Sequence, residues 1–411
     1  MKKNKLVMGL ALAAFFLVIL FPLWGHVFPQ PVEESLEENR EMTGWSFSGS
    51  LKDRIETLES FLDDHLAFRQ TAISAVLRAN LDLGESPDSS VLSGFDGWLF
   101  YVEGEEDFRR GTGLDQADLE SLYAVQQQAA DTFAAAGVDY RILIAPDKHT
   151  VYPQYLPLTN RLGTGPAAIE QMVSSPDPKY TVRFVNVVPA LQAAAEAGDQ
   201  QYYKTDTHWN PNGAYTAYCA LMDALLPEHP TLRRLTEEDL QRYDASNSGD
   251  LAAMIGQKGL REDHLTLVRV KNPSFREAPE LSDNNLTAFV NESLPDAPRI
   301  LLIHDSFGPA LTDFLRESCS VLYVMSNDSP SFSTIGDLSR FDIVIMEVVE
   351  RNRSWLWGGI VDVSGGSGEY EEEEGAYDEE EYDDEDDDYV GEEEDDYVDE
   401  EEESGEADDG E

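Results

Sequence analysis

Asp206 and His208 sit one residue apart in the stretch KTDTHWNPNGA, residues 204–214, with Trp209, Asn210 and Gly213 close behind. A carboxylate beside an imidazole is two parts of an acid–base device: the carboxylate orients the ring and stabilises its cation, and the ring takes a proton from a nucleophile. Alone, D-x-H is a weak signal, so its meaning depends on whether a nucleophile elsewhere can meet it. The segment RILLIHDSFGPAL, residues 299–311, offers Ser306. An apolar, β-rich run leads into Asp305 and Ser306, then into Phe307, Gly308 and a helix-like stretch. A serine placed there stands at a strand's carboxyl end and beside a helix N-terminus, where free N–H groups and the helix dipole favour a developing negative charge. Nucleophile and part of an oxyanion hole would then come from one turn. The long separation from His208 is no obstacle, because triads assemble in space and in several chain orders. The competing reading is an Asp-Ser pair that merely caps a helix.

These residues need a scaffold, and residues 91–358 supply its pattern. YRILIAP (140–146), VRFVNVV (182–188), RILLIHDS (299–306), SVLYVMS (320–326) and FDIVIMEVVE (341–350) read as buried strands. Helix-like segments fall at 115–136, 189–197, 211–226 and 308–318. Such alternation predicts an α/β fold with a mostly parallel sheet covered on both faces, whose ligands bind beyond the carboxyl ends of the strands.

Both ends of the chain differ from this body. Lys2, Lys3 and Lys5 precede an apolar run from Leu6 to Trp24, close to the ~20 residues that span a bilayer as a helix. The run has no small-x-small ending of a cleavable signal, so residues 1–30 are expected to be a membrane anchor, and either reading places the rest outside the cytoplasm. Residues 31–90 are expected to form a helical neck, opened by Ser50 and Asp53 as a capping arrangement with Leu51, Ile55, Leu58 and Leu62 on one face. The neck carries its own D-x-H, Asp63 and His65, but residues two apart on a helix point in different directions. After the Gly/Ser stretch 364–368, residues 369–411 hold 29 Asp or Glu and no Lys or Arg. A segment with that charge cannot bury enough apolar surface to offset chain entropy, so 361–411 is expected to be a disordered acidic tail.

The whole chain has a net charge of −52, and 52 acids against 29 bases leave −23 on residues 1–368. That composition argues against nucleic acid as a partner. Two cysteines, Cys219 and Cys319, make neither a metal cluster nor a disulfide framework, and could pair or lie buried as thiols.

Several separated stretches together resemble the alginate O-acetyltransferase family of AlgX and AlgJ type, whose catalytic domain is a variant of the SGNH hydrolase fold. They are, in order, DDHLAFR (63–69), GFDGWLFY (94–101), APDKHTVYPQYLP (145–157), YYKTDTHWNPNGAYTAY (202–218), SGDLAAMIG (248–256), IHDSFG (303–308) and EVVER (347–351). The resemblance implies that Ser306 corresponds to the nucleophile of a G-D-S-F motif, and Asp206 and His208 to the Asp and His of a D-x-H-W motif. His304 departs from the pattern, standing where the family motif has glycine, and either tunes the pocket or packs beneath it. Weaker candidates for contact with substrate are Trp209, Asn210 and Asp305 inside the motifs, and Lys148 and Tyr152 beyond a strand end, the last two serving equally well as loop anchors. Trp98 and Phe100 are either a sugar-stacking platform or core, and Arg351 either pairs with a carboxylate near the sheet end or is an exposed charge.

The resemblance further implies an extracytoplasmic enzyme that acetylates hydroxyls of a polysaccharide or envelope glycan through an acetyl-serine. It needs no metal, nucleotide or other cofactor, and draws acetyl groups from a membrane-bound O-acyltransferase partner. The same triad would serve an esterase or deacetylase, and a non-catalytic glycan-binding or scaffold subunit is the alternative of a different class.

Overall fold

The computed structural model describes residues 86, 88–102, 114–157, 167–174, 178–257, 260–283, 285–326 and 330–360. The expected anchor, nearly all of the neck with Ser50, Asp63 and His65, and the acidic tail from residue 361 lie outside them. Among the described residues no helix is long and apolar enough to cross a membrane.

A short hairpin comes first, β1 (Val91–Ser93) and β2 (Leu99–Tyr101). The chain continues through β3 (Asp139–Ala145) and β4 (Phe184–Val185), then a second hairpin of β5 (Leu240–Asn247) and β6 (Glu262–Val270). It ends with β7 (Arg276–Glu277), β8 (Thr287–Val290), β9 (Arg299–His304), β10 (Val321–Ser326) and β11 (Ile343–Val349). Seven strands make one sheet in the order β4-β3-β11-β9-β10-β8-β7. Neighbours from β4 to β10 are parallel, while β8 and β7 extend the edge antiparallel.

The central strands are apolar because both their faces are covered. Along β3, Leu143 and Ala145 enter one core and Ile142 and Ile144 the other, the period of two that a strand imposes. Helix α1 (Gln116–Ala135) covers the second face with Leu122, Ala129 and Phe133 and begins in a capping box between Asp115 and Asp118. Beyond β3 lies the single turn α2 (Lys148–Val151), and after β4 comes α3 (Val188–Glu196). Helix α4 (Pro211–Leu225) buries Ala214, Ala217, Tyr218, Leu221, Met222 and Leu225, one stripe at helical spacing. Short α5 (Asp250–Met254) rides in the β5–β6 connection, and α6 (Gly308–Leu315) follows β9. Burying one Leu or Phe is worth about 1.5–3 kcal/mol, so the α4 stripe fixes the height of the loop before it.

Two differences from the sequence reading have physical causes. The strand expected over 182–188 shrinks to Phe184–Val185, because Val188 already begins α3 and Pro189 has no N–H for a ladder. The β5–β6 hairpin was not anticipated; β5 buries little beyond Leu240, so its sequence carries no apolar run. Cys219 is half-buried and Cys319 buried, and both are free thiols.

Candidate active site

The D-x-H-W stretch enters the site along a loop anchored from below. Tyr202 and Trp209 form an isolated antiparallel bridge, and the amide of Asn210 donates to the Gln201 carbonyl at 2.9 Å. Asn210 then caps α4: its side-chain oxygen accepts from the amides of Asn212 and Gly213 at 2.9 and 3.1 Å, with Pro211 at the first helical position. Gly213 is bare because a Cβ there would collide with the Gln201 carbonyl oxygen.

Within this loop His208 Nδ1 lies 2.8 Å from Asp206 Oδ1, and the same oxygen accepts the His208 amide at 3.0 Å. Burial pushes the Asp206 carboxyl up, but hydrogen bonds from the ring and amide of His208 outweigh it and hold the group below its ordinary range. An ionised carboxylate only accepts, so Nδ1 carries the hydrogen of this bond, and Nε2 is the ring nitrogen outside it.

Ser306 sits in the turn between β9 and α6 with its side chain exposed. The following residue joins it to the base: the Phe307 ring lies 4.9 Å from the His208 ring, and the Phe307 carbonyl accepts from Trp209 Nε1 at 3.1 Å. The structure thus brings the D-x-H-W loop against the serine turn, although no hydrogen bond joins Ser306 to His208 among the described residues. The oxyanion expectation needs revision. Asp305 occupies the amide of Phe307 through its carboxylate at 3.0 Å and that of Gly308 through its carbonyl at 3.2 Å, and Pro309 has none to give. Among the described residues the Ser306 amide is the backbone donor of this turn left for a developing oxyanion.

Asp305 is the turn's clamp. Its second carboxylate oxygen accepts from Val349 at the end of β11 at 2.7 Å, and its amide donates to Glu347 at 3.2 Å. Glu347 is fully buried, and burial together with the Asp305 carboxylate beside it pushes its carboxyl well above the usual range, toward the neutral acid. Further along the EVVER stretch, Glu350 accepts from the Asp147 amide at 2.9 Å and the Thr150 hydroxyl at 2.7 Å. Arg351 pairs with Asp147 at 2.6 Å, its guanidinium 5.3 Å from the Phe307 ring. Arg351 is therefore a paired, mostly buried cation beside the site.

His304 packs beneath the turn: its Nδ1 is 2.6 Å from the Asp305 carbonyl, and a Cβ on Gly308 would collide with its ring.

The remaining candidates face inward. Lys148 is 2% exposed and donates to the carbonyls of Leu99 at 2.7 Å and Lys204 at 3.0 Å. Burial drives its amine down to about 7 against the pull of Asp206, Asp250 and Glu262. Tyr152 is also buried, and its hydroxyl accepts the Gln201 amide at 2.8 Å. Both residues anchor loops and present no polar atom to a ligand. Trp209, Asn210 and Asp305 likewise spend their polar atoms on the scaffold, and Trp98 and Phe100 are core.

One residue escaped the sequence reading. Asp250, first residue of α5, accepts from the Thr207 amide at 2.7 Å and the Thr207 hydroxyl at 2.5 Å, and stands 3.6 Å from His208 Nδ1. Its one signal was membership of the SGDLAAMIG stretch. The donor atoms of Asp206, His208 and Asp250 converge within 4.8 Å, but hydrogen bonds among the loop's own groups already engage them.

A parallel sheet with a serine at the carboxyl end of a central strand and an Asp-x-His loop against it defines the SGNH hydrolase-like class. Residues 91–329, more than half of the chain, match the family model described as SGNH hydrolase-like domain, acetyltransferase AlgX. The chain belongs to that family, and the resemblance read from its motifs is borne out. The probable alginate O-acetylase AlgJ of Pseudomonas putida is 28% identical over 201 residues, 47% of each protein, and that of Pseudomonas fluorescens 25% identical over 179 residues, 43% of each. The chain thus spans less than half the length of these curated relatives. Among solved structures, the O-acetyltransferase domain of P. putida AlgJ aligns at 20% identity and a TM-score of 0.41, covering 66% of this chain and 94% of that one. Bacillus cereus PatB1 with a sulfonyl adduct aligns at 15% identity and a TM-score of 0.49, covering 66% and 97%.

Proposed function

We propose that this protein is an extracytoplasmic, membrane-anchored O-acetyltransferase that modifies hydroxyls of an exopolysaccharide or cell-envelope glycan. The observation that carries the reading is the hydrogen-bonded Asp206–His208 pair fastened, through Trp209 and Phe307, to the turn bearing an exposed Ser306. In the first half-reaction Ser306 Oγ attacks the acetyl carbonyl of a donor while His208 Nε2 takes the hydroxyl proton and returns it to the leaving group. The resulting acetyl-serine is attacked by a sugar hydroxyl whose proton passes to His208, and Ser306 recovers its proton from the imidazolium as the acetyl bond to serine breaks. Family membership supports acetyl transfer, and the AlgJ relatives support a polysaccharide acceptor. The donor is assigned to a membrane-bound O-acyltransferase partner.

Because Ser306 is open to solvent, water can compete as acceptor, and a carbohydrate esterase is the second reading. The test incubates the protein with a chromogenic acetyl ester, with and without an oligosaccharide, and follows protein and sugar by mass spectrometry. Acetyl mass on the Ser306 peptide that moves to sugar supports the transferase; acetate alone supports the esterase. Ser306→Ala should lower kcat by about 10⁴-fold or more without changing the melting temperature, since the side chain is exposed. Undiminished turnover in that variant sinks both readings.

A further inference from the structure

The base loop contains more carboxylate than a triad needs. His208 Nδ1 faces Asp206 Oδ1 at 2.8 Å and, from another element, Asp250 Oδ2 at 3.6 Å. The second carboxylate is held there by design of the fold. The β5–β6 hairpin returns over the D-x-H loop, the Gly249 amide donates to the Thr205 hydroxyl at 3.2 Å, and the Ala252 amide donates to the Thr205 carbonyl at 3.1 Å. Gly249 presses so closely that any Cβ would strike Asp206 and the Thr205 carbonyl. Asp250 therefore approaches the imidazole through a position only glycine can fill, and its own amide reaches the other Asp206 oxygen at 3.4 Å. Two carboxylates brought this close repel unless positive charge lies between or beside them. Arg351 supplies part of it, and the imidazolium formed when His208 accepts the Ser306 proton would supply more.

We infer that Asp250 is a second positioning carboxylate for His208, which with Asp206 stabilises the imidazolium and can take over the Nδ1 proton when Asp206 is lost. This inference deepens, and rests on, the acetyltransferase reading. A single-carboxylate triad loses about 10⁴-fold in kcat when its Asp becomes Asn. Here Asp206→Asn should lose about 10²-fold and Asp250→Asn about 10-fold, while the double variant falls the full ~10⁴-fold, more than the product of the singles. KM should stay within about twofold throughout, because neither carboxylate binds substrate.

The deciding measurement is spectroscopic and independent of turnover. The full-length protein should show a downfield imidazole N–H proton resonance, assigned by its absence in His208→Gln. It should persist in either single Asp→Asn variant and vanish in the double. Loss of the resonance in Asp206→Asn alone, or kcat of that variant already at the level of the double, overturns the inference. A purely structural Asp250 that only braces Thr207 would lower the melting temperature on substitution and leave the Asp206→Asn resonance absent, which also overturns it. If the wild type shows no acyl transfer or ester turnover, the functional reading fails, and the resonance still decides whether two carboxylates share the ring.

Discussion

The two halves of the candidate site, the His208 loop from Asp206 to Asn210 and the Ser306 turn from His304 to Gly308, are secured by opposite kinds of buried ionisable group. Beneath the His208 loop lies a lysine: Lys148 ties the Lys204 carbonyl at the loop's start to the Leu99 carbonyl of β2 and is driven toward its neutral form. Beneath the serine lies an acid: Glu347 receives the Asp305 amide and is also driven toward neutrality. Burial disfavours charge in both cases, yet the two halves must answer pH in opposite senses. Lys148 binds fewer protons folded than unfolded between about 7 and its ordinary 10.5, so its contribution to stability rises with pH across that window. Glu347 binds more protons folded than unfolded above its ordinary 4.5; its contribution is fully present below that value and is lost as pH rises through the raised folded value.

The largest effect should come from Lys148→Met. The buried Leu99 carbonyl loses the Lys148 donor, at about 1–3 kcal/mol for an unsatisfied group, while the Lys204 carbonyl keeps the Leu99 amide, and denaturant melts should show a loss of about 2–3 kcal/mol near pH 7. The gap between wild type and variant should widen between pH 7 and 10, and a constant gap would break the comparison. Next is Gly308→Ala, whose methyl meets the His304 ring; overpacking of this kind costs about 1–3 kcal/mol. Adding His304→Gly should restore the melting temperature, and failure to do so would show that the turn resists a Cβ for another reason. The smallest effect is expected from Glu347→Gln, a neutral mimic of the acid that keeps an acceptor for the Asp305 amide. Its stability near neutral pH should stay within about 1 kcal/mol of wild type, and it should lose less than wild type on going from pH 6 to 9.

The same contrast explains what could be read from the sequence. The parallel strands were legible because burial on two faces writes long apolar runs, as in Ile343–Val349. The candidate residues were legible as short motifs, and the structure sets the His208 ring beside that of Phe307, the neighbour of Ser306. What surrounds them was not. Lys148 and Tyr152 read equally as substrate contacts and as loop anchors until the loop is seen folded inward, since a polar side chain satisfied by backbone leaves no periodic trace. Asp250 reaches the site only through the β5–β6 hairpin, a one-sided polar ribbon whose pairing no local pattern announces.

The sheet order sets a clock on this site. Strand β3, which leads to Asp147 and Lys148, and strand β9, which leads to Ser306, are not neighbours; β11 lies between them and is the last strand of the described chain. Until residues 343–349 have been synthesised and inserted, the serine turn lacks its Val349 and Glu347 partners and the two halves have no shared floor. Such late, long-range pairing is slow to form. A growing or partly folded chain would therefore carry every candidate group without the assembled site, which would be complete only when the body of the protein is.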